Sequence, residues 1–109
     1  MNNSRLELLL QYYKEDPNDP FTIYALATEY LKTDVQKSVD YFSILLNQHE
    51  DYSGTYYHAA KLFYQLGQFE KADQTYRKGL KITLKNKDMK AHQELRSAYN
   101  QFLDETSEE

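Results

Sequence analysis

Two segments of this 109-residue chain repeat one another. Displaced by 33 positions, Ile23, Leu26, Ala27 and Tyr30 fall on Tyr56, Ala59, Ala60 and Phe63. Displaced by 34, Val35, Ser38 and Phe42 fall on Phe69, Ala72 and Tyr76. The one-residue difference sits in a turn, where Thr33-Asp34 stands against the longer Leu66-Gly67-Gln68. A unit that recurs at such a period is one supersecondary element that cannot bury its apolar face alone, so stability has to come from stacking.

The local signals make that unit a helical hairpin. Ser4-Arg5-Leu6-Glu7 has capping-box spacing, with Ser4 as the expected N-cap. Leu6, Leu9, Leu10 and Tyr13 follow at helical intervals. Pro17 disfavours helix in the residue before it, so this first helix should end near Glu15. Asp19-Pro20 pairs an N-cap with an N1 proline and opens a second helix carrying Ile23, Leu26, Ala27 and Tyr30. Asp34 can cap a third, with Val35, Val39, Phe42 and Leu46. The pattern breaks over 47–53, and a fourth helix then carries Tyr56, Ala59, Ala60 and Phe63. Gly67 is suited to the left-handed residue that ends a helix. A fifth helix is expected from Phe69 to Leu84, and Asp88 caps a last one with His92, Leu95, Tyr99, Phe102 and Leu103. The tail 105–109 should fray. Six helices with short turns imply antiparallel neighbours.

The pattern resembles the tetratricopeptide repeat, whose signature runs from a large residue through Leu-Gly/Ala, then Tyr, Ala, Phe/Tyr and Pro. Tyr56, Ala59-Ala60, Phe63, Ala72 and Tyr76 follow it in one copy, and Ile23, Leu26-Ala27, Tyr30, Ser38 and Phe42 in the other. Pro17 in the loop DPNDP takes the place of the family's inter-repeat proline, while Glu50 and Leu84 stand where later prolines are expected. The resemblance spans 4–103 and implies one all-α helical-hairpin solenoid over 1–109. Within it, 4–15 is a half-repeat helix, 20–52 and 53–86 are the two repeats, and 88–105 is a capping helix.

Small residues take on meaning in that frame. Ala27 and Ser38, and again Ala60 and Ala72, are expected where the two helices of a hairpin cross, with axes ~8–10 Å apart. Gly79 is expected to admit the next helix, at a local helix cost of ~1 kcal/mol. Arg96 occupies the small-residue position of the last helix, consistent with a cap that no further helix approaches. Family geometry places the first helix of each hairpin on a concave face. That implies a peptide-binding groove of Phe21, Tyr24, Thr28 and Leu31, then Tyr57, Lys61, Tyr64 and Gln65, then Lys90 and Gln93.

Other chemistry finds little support in the residues. With no Cys there is no disulfide or thiolate, which suits a reducing, cytoplasmic setting. His49, His58 and His92 lie on separate elements without metal-ligand spacing, and the three glycines are isolated. No signal peptide or membrane span fits the sequence. The net charge of -4 argues against general nucleic-acid affinity. Charge is uneven: 1–56 holds 4 Lys/Arg and 9 Asp/Glu, whereas Arg77, Lys78, Lys81, Lys85, Lys87 and Lys90 form a basic run that should be solvated. One family subset grips a peptide's C-terminal carboxylate with Lys, Asn and Arg. Here Tyr24, Thr28, His58 and Glu94 occupy four of the clamp positions and only Lys90 matches. The expected function is therefore binding of a protein or peptide segment through aromatic contacts. The expectation includes no catalysis, cofactor, metal, nucleic acid or membrane, and a monomer or weak homo-oligomer. The alternative is a structural subunit that self-associates through its terminal helices.

Overall fold

The computed structural model describes residues 4–107 and contains six α-helices and no strand among them. The helices are α1 (Ser4–Glu15), α2 (Pro20–Tyr30), α3 (Val35–Gln48), α4 (Thr55–Gln65), α5 (Phe69–Lys85) and α6 (Met89–Thr106). They gather into two compact units that divide between Tyr52 and Ser53, with α1–α3 in one and α4–α6 in the other.

In the first unit, Asp19 begins α2 by accepting from the Phe21 amide at 3.1 Å and from the Thr22 hydroxyl at 2.9 Å. Asp34 caps α3 through the Lys37 amide at 3.3 Å. Ile23, Leu26, Ala27, Phe42 and Leu45 are wholly buried. At the α2–α3 crossing the Ser38 hydroxyl donates to the Ala27 carbonyl, so the small residue also satisfies a buried acceptor. Leu9 joins Ala25, Leu26 and Tyr30 in one cluster, flanked by Leu6, Tyr13 and Tyr41. Tyr41 stacks on Tyr30 at 5.9 Å and takes the edge of Tyr13 at 5.5 Å.

In the second unit, α4 and α5 end in the same Schellman motif. Gly67 has φ 80, with Gln68 N–H donating to the Phe63 carbonyl at 2.9 Å and Gly67 N–H to that of Tyr64 at 3.0 Å. Lys87 repeats this at φ 58, with Asp88 N–H donating to Thr83 and Lys87 N–H to Leu84. Asp88 then caps α6 through the Ala91 amide at 3.2 Å. Ala60 and Ala72 are wholly buried. Between α5 and α6 the buried Thr83 hydroxyl bonds the Gly79 carbonyl and His92 Nδ1, each at 2.9 Å.

Four local expectations need correction. Ser4 is already helical, so it does not stand before α1 as its N-cap; the position before it lies outside the described residues. Val35, Leu10 and Leu103 are exposed, because each lies at the margin of its helix's apolar face. Gly79 does not face the next helix alone: its nearest neighbour is Tyr56 of α4, with Leu95 of α6 beside it. Glu105 and Thr106 remain helical, since Glu105 is tied to Tyr64 and Gln101, while 108–109 lie outside the described residues.

Candidate functional site

Within the second unit, α6 packs against α5 and also meets α4 directly. An open groove of about 520 Å³ follows the α4–α6 seam. Its floor is aromatic: Tyr76 and Phe102 are almost fully buried with rings 5.4 Å apart, and the Phe102 ring meets Tyr64 edge-on at 5.2 Å. One wall is α4, which presents Tyr57, Lys61 and Tyr64 on successive turns. The other is α6, which presents Glu94, Ser97, Ala98, Gln101 and Glu105.

The walls are tied across the floor. The Tyr64 hydroxyl donates to Glu105 Oε1 at 2.6 Å, and Gln101 Nε2 donates to Glu105 Oε2 at 3.1 Å. The bond from Tyr64 favours the carboxylate and the neutral phenol together, so it holds Glu105 below and Tyr64 above their ordinary ranges. Lys61 Nζ lies 5.5 Å from the Tyr57 ring centroid, within cation–π reach. Burial, and then Lys61, push His58 below its ordinary range. A second tie sets α6 on α5: the Tyr99 hydroxyl donates to Asp73 at 2.6 Å and Arg77 Nε donates to the Tyr99 oxygen at 3.1 Å. The groove thus offers half-exposed aromatic faces beside one ammonium and two carboxylates.

Of the residues singled out from sequence, Tyr57, Lys61 and Tyr64 come together here. Gln65, Lys90 and Gln93 are exposed but do not line this groove. In the first unit, Tyr24 is half-buried with its ring 5.6 Å from Tyr52, and burial raises its hydroxyl pKa. The Thr28 hydroxyl donates to its own helix at the Ala25 carbonyl, 3.1 Å away, and Leu31 closes α2. Phe21 is exposed and lines a separate hollow against α1. Glu94, Ser97, Ala98, Gln101 and Glu105 were missing from the sequence-derived set. Their spacing of three, four, seven and eleven from Glu94 marks one helical face and could have found them. Lys90 and Gln93 precede this face by about one turn.

Among the described residues, no group of three or more His, Cys, Asp or Glu could hold a metal ion. Nor is any described helix long and apolar enough to cross a membrane.

No family model matches this chain, and no curated protein sequence matches it. Solved structures do. The solution NMR structure of a tetratricopeptide repeat domain protein from Salinibacter ruber is 39% identical, covers 80% of this chain and 89% of its own, and superimposes with a TM-score of 0.75. A crystal structure of a tetratricopeptide repeat domain protein from the same organism is 37% identical over 78% of this chain and 96% of its own, with a TM-score of 0.74. The chain belongs to the tetratricopeptide repeat family. Tetratricopeptide repeats are generic protein-interaction modules, and their fold is in general a non-enzymatic scaffold. The buried pairs Ala27–Ser38 and Ala60–Ala72 are accordingly tetratricopeptide packing residues.

Proposed function

We propose that this tetratricopeptide chain is a non-catalytic scaffold that holds a segment of a partner protein in the α4–α6 groove. The observation that carries the reading is the pair Tyr57 and Tyr64, half-exposed on one face of α4 above a floor of buried rings. Tyrosine side chains supply contact area at low entropic cost and are enriched where interfaces concentrate their energy. Because the Tyr64 hydroxyl is committed to Glu105, Tyr64 offers chiefly its ring, while Lys61 and Glu94 are placed to orient polar groups of the segment. We read α1 as a half-repeat helix and α6 as a cap. A cysteine-free chain suits a cytoplasmic setting, and we assign no nucleic-acid, membrane or cofactor role.

The test is affinity capture with the wild-type protein beside a Tyr57→Ala, Tyr64→Ala double variant, followed by titration of captured proteins by calorimetry. Ligands of the groove should bind the variant at least about tenfold more weakly, the effect of losing ~1.4 kcal/mol of contact. Partners that bind both proteins equally would remove the groove from the reading.

A further inference from the structure

The two units carry exposed apolar groups flanked by charges of opposite sign. On the first unit, Leu8, Tyr12 and Phe21 are 47%, 45% and 59% exposed around a hollow of about 450 Å³. Leu8 stands one repeat period before Phe42 and two before Tyr76, and both of those are buried. In α3 and α5 that position is buried, with Tyr76 covered in part by Tyr99 and Phe102 of the following helix, whereas in α1 it is open to solvent. Three carboxylates rim the hollow, Glu15, Asp16 and Asp19, and its lining cation, Arg5, is engaged by Glu29 at 3.2 Å.

On the second unit, the α5–α6 corner presents Leu84 and Met89, 56% and 50% exposed. Lys81, Lys85, Lys87 and Lys90 are exposed around them in sequence. Large apolar residues exposed singly are ordinary. Here they form two groups, one edged by acids and the other by lysines, and charge of opposite sign selects one group for the other.

We propose that the α5–α6 corner of one copy seats in the α1–α2 hollow of a second copy, with Leu84 and Met89 against Leu8, Tyr12 and Phe21, and lysines against Glu15, Asp16 and Asp19. The occupant is a second copy because the chain itself carries both complementary halves. The contact is heterologous, so each copy that forms it keeps one further half for another copy. It lies outside the α4–α6 groove, so it stands apart from the peptide-binding reading.

Sedimentation equilibrium from about 10 µM to about 1 mM at low salt tests this, since contacts of this small size are weak. The wild-type average mass should climb beyond one chain, and association should weaken between ~50 and 500 mM salt as the exposed charges are screened. Phe21→Glu blocks the hollow and Leu84→Gln blunts the corner; each should weaken association at least about tenfold, the effect of exposing one large apolar contact. Mixed one to one, the two variants should recover a complex of two chains and no larger, because one intact hollow meets one intact corner. Circular dichroism confirms their helicity, and the wild-type salt series stands without them. A wild type that stays monomeric throughout overturns the proposal. So does association strengthened by salt, or a mixture that associates no better than either variant alone.

Discussion

A Cβ built on Gly79 would stand 2.5 Å from the Cβ of Tyr56 and 2.6 Å from Leu95 Cδ2. The Tyr56 atom is fixed directly to the backbone of α4, so it cannot swing away as the end of a side chain could. Gly79→Ala must therefore push helices apart. Overpacking costs about 1–3 kcal/mol, against which alanine's better helix propensity returns ~1 kcal/mol. A lower melting temperature is expected, by several degrees if the full cost is felt. An unchanged or raised Tm would show that α4 and α5 are not held this close.

Ala60→Leu probes the neighbouring crossing with the opposite residue type. Ala60 and Ala72 are both wholly buried, so a larger side chain there has to displace its neighbours. A cost of ~1–3 kcal/mol is expected in chemical denaturation. Full wild-type stability in urea would remove the small-residue account of the hairpin.

Lys87→Gly should act in the other direction. Lys87 occupies the left-handed region at φ 58, where a Cβ costs roughly 1–2 kcal/mol that glycine avoids. Glycine's extra freedom in the unfolded chain takes back ~0.4–1 kcal/mol. The net expectation is a stabilisation of about 0.5–1 kcal/mol, measured as a higher denaturation midpoint with unchanged slope. A lower midpoint would mean that the Lys87 side chain does more for the fold than its backbone costs.

His58 gives the fold a pH dependence. Burial and the Lys61 ammonium hold its folded pKa below the ordinary value of 6.5. The unfolded chain then binds the proton more readily, so stability is fully present above about pH 6.5 and declines as pH falls toward the folded pKa. Thermal melts from about pH 7.5 to 5.5 should show a falling Tm, and His58→Gln should flatten that decline. A variant with an undiminished slope would assign the dependence elsewhere.

Peptides that end in an acidic carboxylate cluster should bind poorly. Glu94 and Glu105 line the groove, and Lys90 lies outside its lining. A carboxylate placed between those walls meets one ammonium, Lys61, against two carboxylates, too little to offset its lost hydration. Titration with an EEVD-ending peptide should give no binding at micromolar levels. Micromolar affinity that disappears when the peptide's C-terminus is amidated would reverse the reading of this groove.

The helices were legible in the sequence because their signals are local. Asp19 with Pro20, Asp34, Gly67 and Asp88 act on backbone groups within a few residues, and each does so in the structure. The period of 33 to 34 was legible too, since Ala27, Ser38, Ala60 and Ala72 reflect one packing constraint imposed twice. Ser4, already helical, and Lys87 were local exceptions. The left-handed turn at Lys87 repeats the geometry at Gly67, but lysine carries no preference that would announce it.

What only the tertiary structure decided involves partners distant in the chain. Tyr64 reads as an available hydroxyl until Glu105, 41 residues on, is found accepting its hydrogen bond. The α6 face that builds the groove depends on how α6 rolls against α5, which Tyr99, Asp73 and Arg77 fix across 22 to 26 residues. Gly79 acquires two neighbours rather than one for the same reason: α5 packs against both α4 and α6. Periodicity determines which side of a helix is apolar, because it follows from residue spacing alone. Roll and register arise from the mutual packing of side chains on different helices, and so they emerge only when the helices meet.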